Sequence, residues 1–180
     1  MKGWYNKSYE HSLASKGVRT KNDNNIDKIK YKMYHGTDLE SYKQIISDSE
    51  IVMPYITNDY IDANDWSKKA TINSLPVILE LEIPRNFIET SCAIDPLLLD
   101  ERYLGNYGKY DDMVNELGSE ASYWWMDELK KRDIDWIHWT LENVNAFECN
   151  INIPKEWIKK VYIMKDFNKQ LNHGHWEELN

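Results

Sequence analysis

The stretch Ile29-Lys30-Tyr31-Lys32-Met33-Tyr34-His35-Gly36-Thr37-Asp38-Leu39-Glu40 carries the decision about the fold. Its first seven residues alternate, with Ile29, Tyr31, Met33 and His35 on one side and Lys30, Lys32 and Tyr34 on the other. That is the period of a strand. Gly36 is expected to break it. Thr37-Asp38-Leu39-Glu40 has the form of a capping box, in which Thr37 accepts a backbone N–H while Glu40 reaches back. Leu39, Tyr42, Ile45 and Ile46 then recur at helical spacing. Strand, turn and helix are thus predicted to meet at His35-Gly36-Thr37. Such a turn presents an imidazole and a hydroxyl where a glycine lets a ligand approach the backbone. A neutral imidazole there hydrogen-bonds a ribose hydroxyl without importing charge.

Working outward, residues 51–57 read as a short strand with Pro54 at its edge. Asn58 is placed to cap a helix over about 59–70, with Ile61, Ala63 and Trp66 among its buried positions. Residues 77–83 give the cleanest strand: Val77, Leu79, Leu81 and Ile83 line one side, and Pro84 ends it. Residues 85–108 read mostly as loop, with one turn at 96–99. Residues 111–132 read as helix in two pieces broken near Gly118. A strand over 135–139, a turn at Glu142-Asn143, and strands over 146–153 and 158–164 complete the pattern. The order implies an α+β fold, with strands bunched late. No repeat or Gly/Ser linker divides the chain. The expected organisation is a basic polar extension over 1–27, a single domain over 28–166 and a tail over 167–180.

Charge narrows the partners. Residues 1–32 carry a net +5, so the −8 of the whole chain leaves −13 on the remainder. An acidic body repels phosphate backbones, which counts against nucleic acid and favours a basic protein partner. The two cysteines, Cys92 and Cys149, and the lack of a signal-peptide pattern argue for a reducing, cytoplasmic setting without a disulfide scaffold. No apolar run approaches the ~20 residues of a membrane helix. No Cys/His cluster has zinc-ligand spacing, and His173-Gly174-His175 reads as tail, so no metal site is expected.

Two further residues complete the candidate chemistry. Glu148 sits on the polar side of Phe147-Glu148-Cys149-Asn150-Ile151-Asn152-Ile153, whose odd-numbered members would face the core. A carboxylate at the edge of a cleft stabilises positive charge that develops during a reaction. Glu142 is its rival, in the expected turn. Tyr55, just before a helix, offers a flat ring for stacking on a heteroaromatic ligand. Either residue type also serves as ordinary strand surface or core.

Tyr34-His35-Gly36-Thr37 with its capped helix, Tyr55-Ile56-Thr57-Asn58-Asp59 with Ala63 beyond, and the 77–83 strand resemble the NAD-binding half of ADP-ribosyltransferases. The class is that of His-Tyr-Glu, the diphtheria-toxin and poly-ADP-ribose-polymerase type. Residues 148–154 and 157–161 resemble that family's closing Glu strand and final strand. The resemblance covers roughly 31–84 and 133–164. The Arg-Ser-Glu class is not matched, since Glu148-Cys149-Asn150 lacks its paired glutamates. The resemblance implies split antiparallel sheets flanked by helices, and NAD as co-substrate. It implies that His35 binds adenosine-side ribose hydroxyls, supported by Tyr34, Gly36 and Thr37. Tyr55 would stack on nicotinamide, and Glu148 would bond the nicotinamide-ribose 2′-hydroxyl. The expected activity is mono-ADP-ribosyl transfer to a protein, as in small bacterial toxins and phage-encoded factors. Hydrolysis of NAD, transfer to nucleic acid and a non-enzymatic acidic binding module are the alternatives. Residues 85–132 match no part of the family. Their rings Tyr103, Tyr107, Tyr110, Tyr123, Trp124 and Trp125 are the candidates for target recognition, or else core.

Overall fold

Val77, Leu79, Leu81 and Ile83 have no exposed surface, and neither does Ile78 on the opposite side of the same strand. A strand buried on both faces has to lie inside a sheet, and this one is the axis of the structure around it. The computed structural model describes residues 29–71, 74–99 and 120–179. The extension at 1–27, the rings of Tyr103, Tyr107 and Tyr110, and the break near Gly118 lie outside them.

The described chain divides into two compact units. The larger takes residues up to Cys92 and from Asn145 onward. In chain order it runs β1 (Lys30–Asp38), α1 (Leu39–Asp48), β2 (Glu50–Ile51), β3 (Tyr55–Thr57), α2 (Tyr60–Ala70), β4 (Pro76–Pro84) and α3 (Arg85–Ser91). The strand β5 (Cys92–Ile94) carries the chain across to the other unit. That unit holds α4 (Pro96–Leu99), α5 (Glu120–Lys131) and α6 (Trp136–Asn143). The chain then returns through β6 (Ala146–Cys149), β7 (Ile153–Pro154), the 3-10 turn Lys155–Trp157, β8 (Ile158–Asn168) and β9 (His173–Glu178).

Within the larger unit the sheet order is β6-β3-β1-β4-β8-β9, with every one of these pairings antiparallel. A small second sheet pairs Ile51 of β2 with Ile153 of β7. The fold is therefore α+β, a mostly antiparallel sheet flanked by helices. β1 and β4 are in register over their full length, from Lys30↔Pro84 to Asp38↔Pro76. That ladder alternates as the sequence does: Met33 and Thr37 are buried beside Leu81 and Val77. Each fully buried aliphatic side chain contributes roughly 1.5–3 kcal/mol.

Several local expectations are corrected. β1 does not end at Gly36 but continues through Asp38. Thr37 is a buried strand residue, and Asp38 is the N-cap of α1, accepting from the Ser41 N–H at 2.8 Å. Glu40 does not reach back; it pairs with Lys43. At α2 the cap is Asp59, which accepts from the Ile61 N–H, while the Asn58 N–H donates to the Asn145 carbonyl. Ile61 is two-thirds exposed, and the buried stripe of α2 is Ala63 and Ser67, one helical turn apart. Residues 85–95, read as loop, contain α3 and β5, while the turn expected at 96–99 is α4. Residues 173–178, read as tail, form β9 on the edge of the sheet. Ile151, expected in the core, is half exposed in the link between β6 and β7.

The strand predicted over 135–139 is a helix. Asp135 caps α6 by accepting from the Ile137 and His138 N–H groups. The buried side chains are Trp136, Ile137, Trp139 and Thr140, the spacing of a helix face. His138 and Glu142 face each other at 3.0 Å, one turn apart. In the same unit, α5 buries Ala121, Ser122, Trp125, Met126 and Leu129. Trp125 packs on Trp139 with ring centroids 5.5 Å apart.

Candidate functional site

Three of the residues singled out from the sequence lie on adjacent strands: His35 on β1, Tyr55 on β3 and Glu148 on β6. β1 and β3 are in register at Tyr34↔Thr57. Two residues back from that pair, the Tyr55 carbonyl accepts a hydrogen bond from Nδ1 of His35 at 2.9 Å. On its other side, β3 pairs with β6 so that Tyr55 stands directly opposite Glu148. The Tyr55 hydroxyl donates to Oε1 of Glu148 at 3.2 Å. An imidazole, a phenol and a carboxylate are thereby linked in one chain of contacts, although 113 residues separate its ends in sequence.

The hydrogen bond to the carbonyl fixes the imidazole. With Nδ1 donating, Nε2 of the neutral ring is an acceptor. Burial holds the His35 pKa below its ordinary 6.5, against a smaller upward pull from the Tyr55 carbonyl. The ring is therefore uncharged at neutral pH and able to accept from a hydroxyl. Tyr55 keeps 38% of its surface exposed. Its ring meets that of Trp66, a half-buried residue of α2, edge-on at 6.5 Å. Trp66 was legible only as a core candidate; its contact with Tyr55 depends on a pairing between strand and helix that local sequence does not encode.

The remaining members of the predicted set stand apart from this chain of contacts. Gly36 leaves room not for a ligand but for α2. A Cβ there would lie 2.1 Å from the Ala63 carbonyl oxygen and 2.7 Å from the Ser67 nitrogen. Thr37 is buried. Tyr34 meets Tyr60 edge-on at 5.5 Å, with Nζ of Lys32 over its own ring at 5.8 Å. Tyr60 in turn touches the rings of Tyr162 and Trp176, and burial is the main cause that pushes its phenol up to about 12. Tyr34 is thus part of an aromatic cluster on the sheet. By the alternation of β1, His35 projects to the opposite face from Tyr34, while Tyr55 and Glu148 share the Tyr34 side by register. The imidazole reaches Tyr55 at its backbone rather than its ring.

Glu142 belongs to α6, where it pairs with His138. Among the candidate recognition rings, Trp125 is core, Trp124 is half-buried and Tyr123 is exposed. Among the described residues, Glu120, Tyr123, Trp124 and Asp127 of α5 line a hollow of about 450 Å³. Among the described residues, no group of three His, Cys, Asp or Glu side chains is placed to hold a metal ion. No helix among them is long and apolar enough to cross a membrane.

The chain matches no protein-family model, no curated protein and no solved structure.

Proposed function

We propose that the protein is a mono-ADP-ribosyltransferase that uses NAD to modify a protein target and releases nicotinamide. The observation that supports this is the Tyr55–Glu148 pair, joined at 3.2 Å on one face of the sheet, with His35 on the adjoining strand. In this reading Nε2 of His35 accepts from a ribose hydroxyl, and the exposed Tyr55 ring stacks on nicotinamide. Glu148 accepts from the 2′-hydroxyl of the nicotinamide ribose. The C–N glycosidic bond breaks, and its electron pair leaves with neutral nicotinamide. The anomeric carbon gains positive charge, which the fixed carboxylate favours over the ground state. A nucleophile of the target then bonds that carbon and loses its proton. The negative body of the chain favours a basic target. A reducing, cytoplasmic setting belongs to the same proposal.

Nicotinamide release in the presence of NAD and basic candidate proteins tests this reading. Glu148→Ala should lower turnover by roughly 10²–10³-fold. His35→Ala should weaken NAD binding by about tenfold at most, the worth of one hydrogen bond. Full turnover in both variants would show the assignment to be wrong.

The position of His35 on the other face of the pleat favours a second reading, an acidic binding module that performs no chemistry. It predicts tight capture of a basic protein without NAD, undiminished by either substitution.

A further inference from the structure

The two cysteines, 57 positions apart in the chain, meet in the larger unit, with Sγ of Cys92 2.8 Å from Sγ of Cys149. Both are free thiols and both are buried. Their separation is about 0.8 Å more than that of a bonded sulfur pair. Backbone contacts hold both partners. Cys92 closes α3, donating its N–H to the Ile88 carbonyl. The Cys149 N–H donates to the Pro54 carbonyl at 3.0 Å, and the Asn150 N–H to the Ser91 carbonyl at 2.8 Å. Residues flanking the two sulfurs are therefore tied to each other. Only the fold creates this juxtaposition of two thiols that lie far apart in sequence.

We propose that Cys92 and Cys149 are a dithiol–disulfide couple, and that oxidation locks the strand bearing Glu148 to the end of α3. The oxidant is a low-molecular-weight disulfide. Cys92, the less buried of the two, gives up its proton and attacks one sulfur of that disulfide, releasing one thiol and forming a mixed disulfide. Cys149 then gives up its proton and displaces the second thiol, closing the intramolecular bond. Two protein S–H groups and one small disulfide become one protein disulfide and two small thiols. Hydrogen bonding to the Cys92 thiol, then burial, pushes the Cys149 thiol well above its usual range, so Cys149 keeps its proton until Cys92 has reacted. Burial of both sulfurs makes the first step slow and restricts it to small reagents. Cys149 follows Glu148 directly, and Pro54 precedes Tyr55 directly, so the couple adjoins both members of the tyrosine–carboxylate pair.

The inference stands apart from the ADP-ribosyl reading, because its readout is the thiols themselves. The reduced full-length chain is incubated with oxidised glutathione, quenched with acid, unfolded and alkylated, and its intact and peptide masses are measured. Both alkylatable thiols should be lost, no glutathione should remain attached, and one linked peptide pair should join Cys92 to Cys149. In urea at the same glutathione ratio, the yield of that intramolecular bond should fall about tenfold or more, since the fold no longer holds the sulfurs together. Two thiols that stay alkylatable, stable glutathione adducts on both, a link between two chains, or equal yields in urea would each overturn the proposal.

Discussion

His35 donates its Nδ1 hydrogen to a backbone carbonyl and keeps its ring neutral, a state that depends on pH in a definite direction. Because burial lowers the folded-state pKa below 6.5, the unfolded chain takes up the proton first as pH falls. The stability that the neutral ring contributes is whole above the unfolded value and is lost as pH drops from there through the folded one. Urea midpoints should therefore decline as pH falls below about 6.5, and His35→Gln should flatten that part of the curve. Identical profiles for the two proteins would mean that the imidazole is not held neutral by its surroundings. Acid should also disable hydroxyl recognition, since a protonated ring has no acceptor left.

At the scale of elements, the packing of α2 on β1 depends on the missing side chain at Gly36. Gly36→Ala puts a methyl group 2.1 Å from the Ala63 carbonyl oxygen, against helix backbone that cannot rotate away. The helix must shift, and overpacking of this kind costs about 1–3 kcal/mol. A fall in the urea midpoint with an unchanged slope is the expected result; a variant as stable as the parent would mean that α2 is not seated on this strand. This contact also explains what the sequence could convey. The alternation of β4 was legible because both faces of a long strand repeat it. The glycine was legible as a place where something comes close, but not as a place for a helix. The five residues 135–139 fit a period of two as well as one of 3.6, and the longer set Trp136, Ile137, Trp139 and Thr140 is needed to separate them. Asp135 before that run was the overlooked start signal. His35, Tyr55 and Glu148 could be named from local context, whereas the Tyr55–Glu148 hydrogen bond and the Cys92–Cys149 contact arise from strand pairing across long separations.

At the scale of the whole molecule, joining Cys92 to Cys149 closes a loop of 57 positions that includes all of α4, α5 and α6. Loop-closure entropy gives about 4 kcal/mol of added stability in the oxidised form. Urea unfolding with and without reductant should reveal it as a higher midpoint for the oxidised chain; coincident curves would mean that strain offsets the gain. The other border of the sheet has a different significance. β9 is its outermost strand and carries His173, His175, Glu177 and Glu178, with His175 and Glu177 already facing each other at 3.0 Å. Any foreign chain that tried to prolong the ladder beyond β9 would have to strip water from these imidazoles and carboxylates. The open rim is guarded against fibril-like stacking by its own solvation.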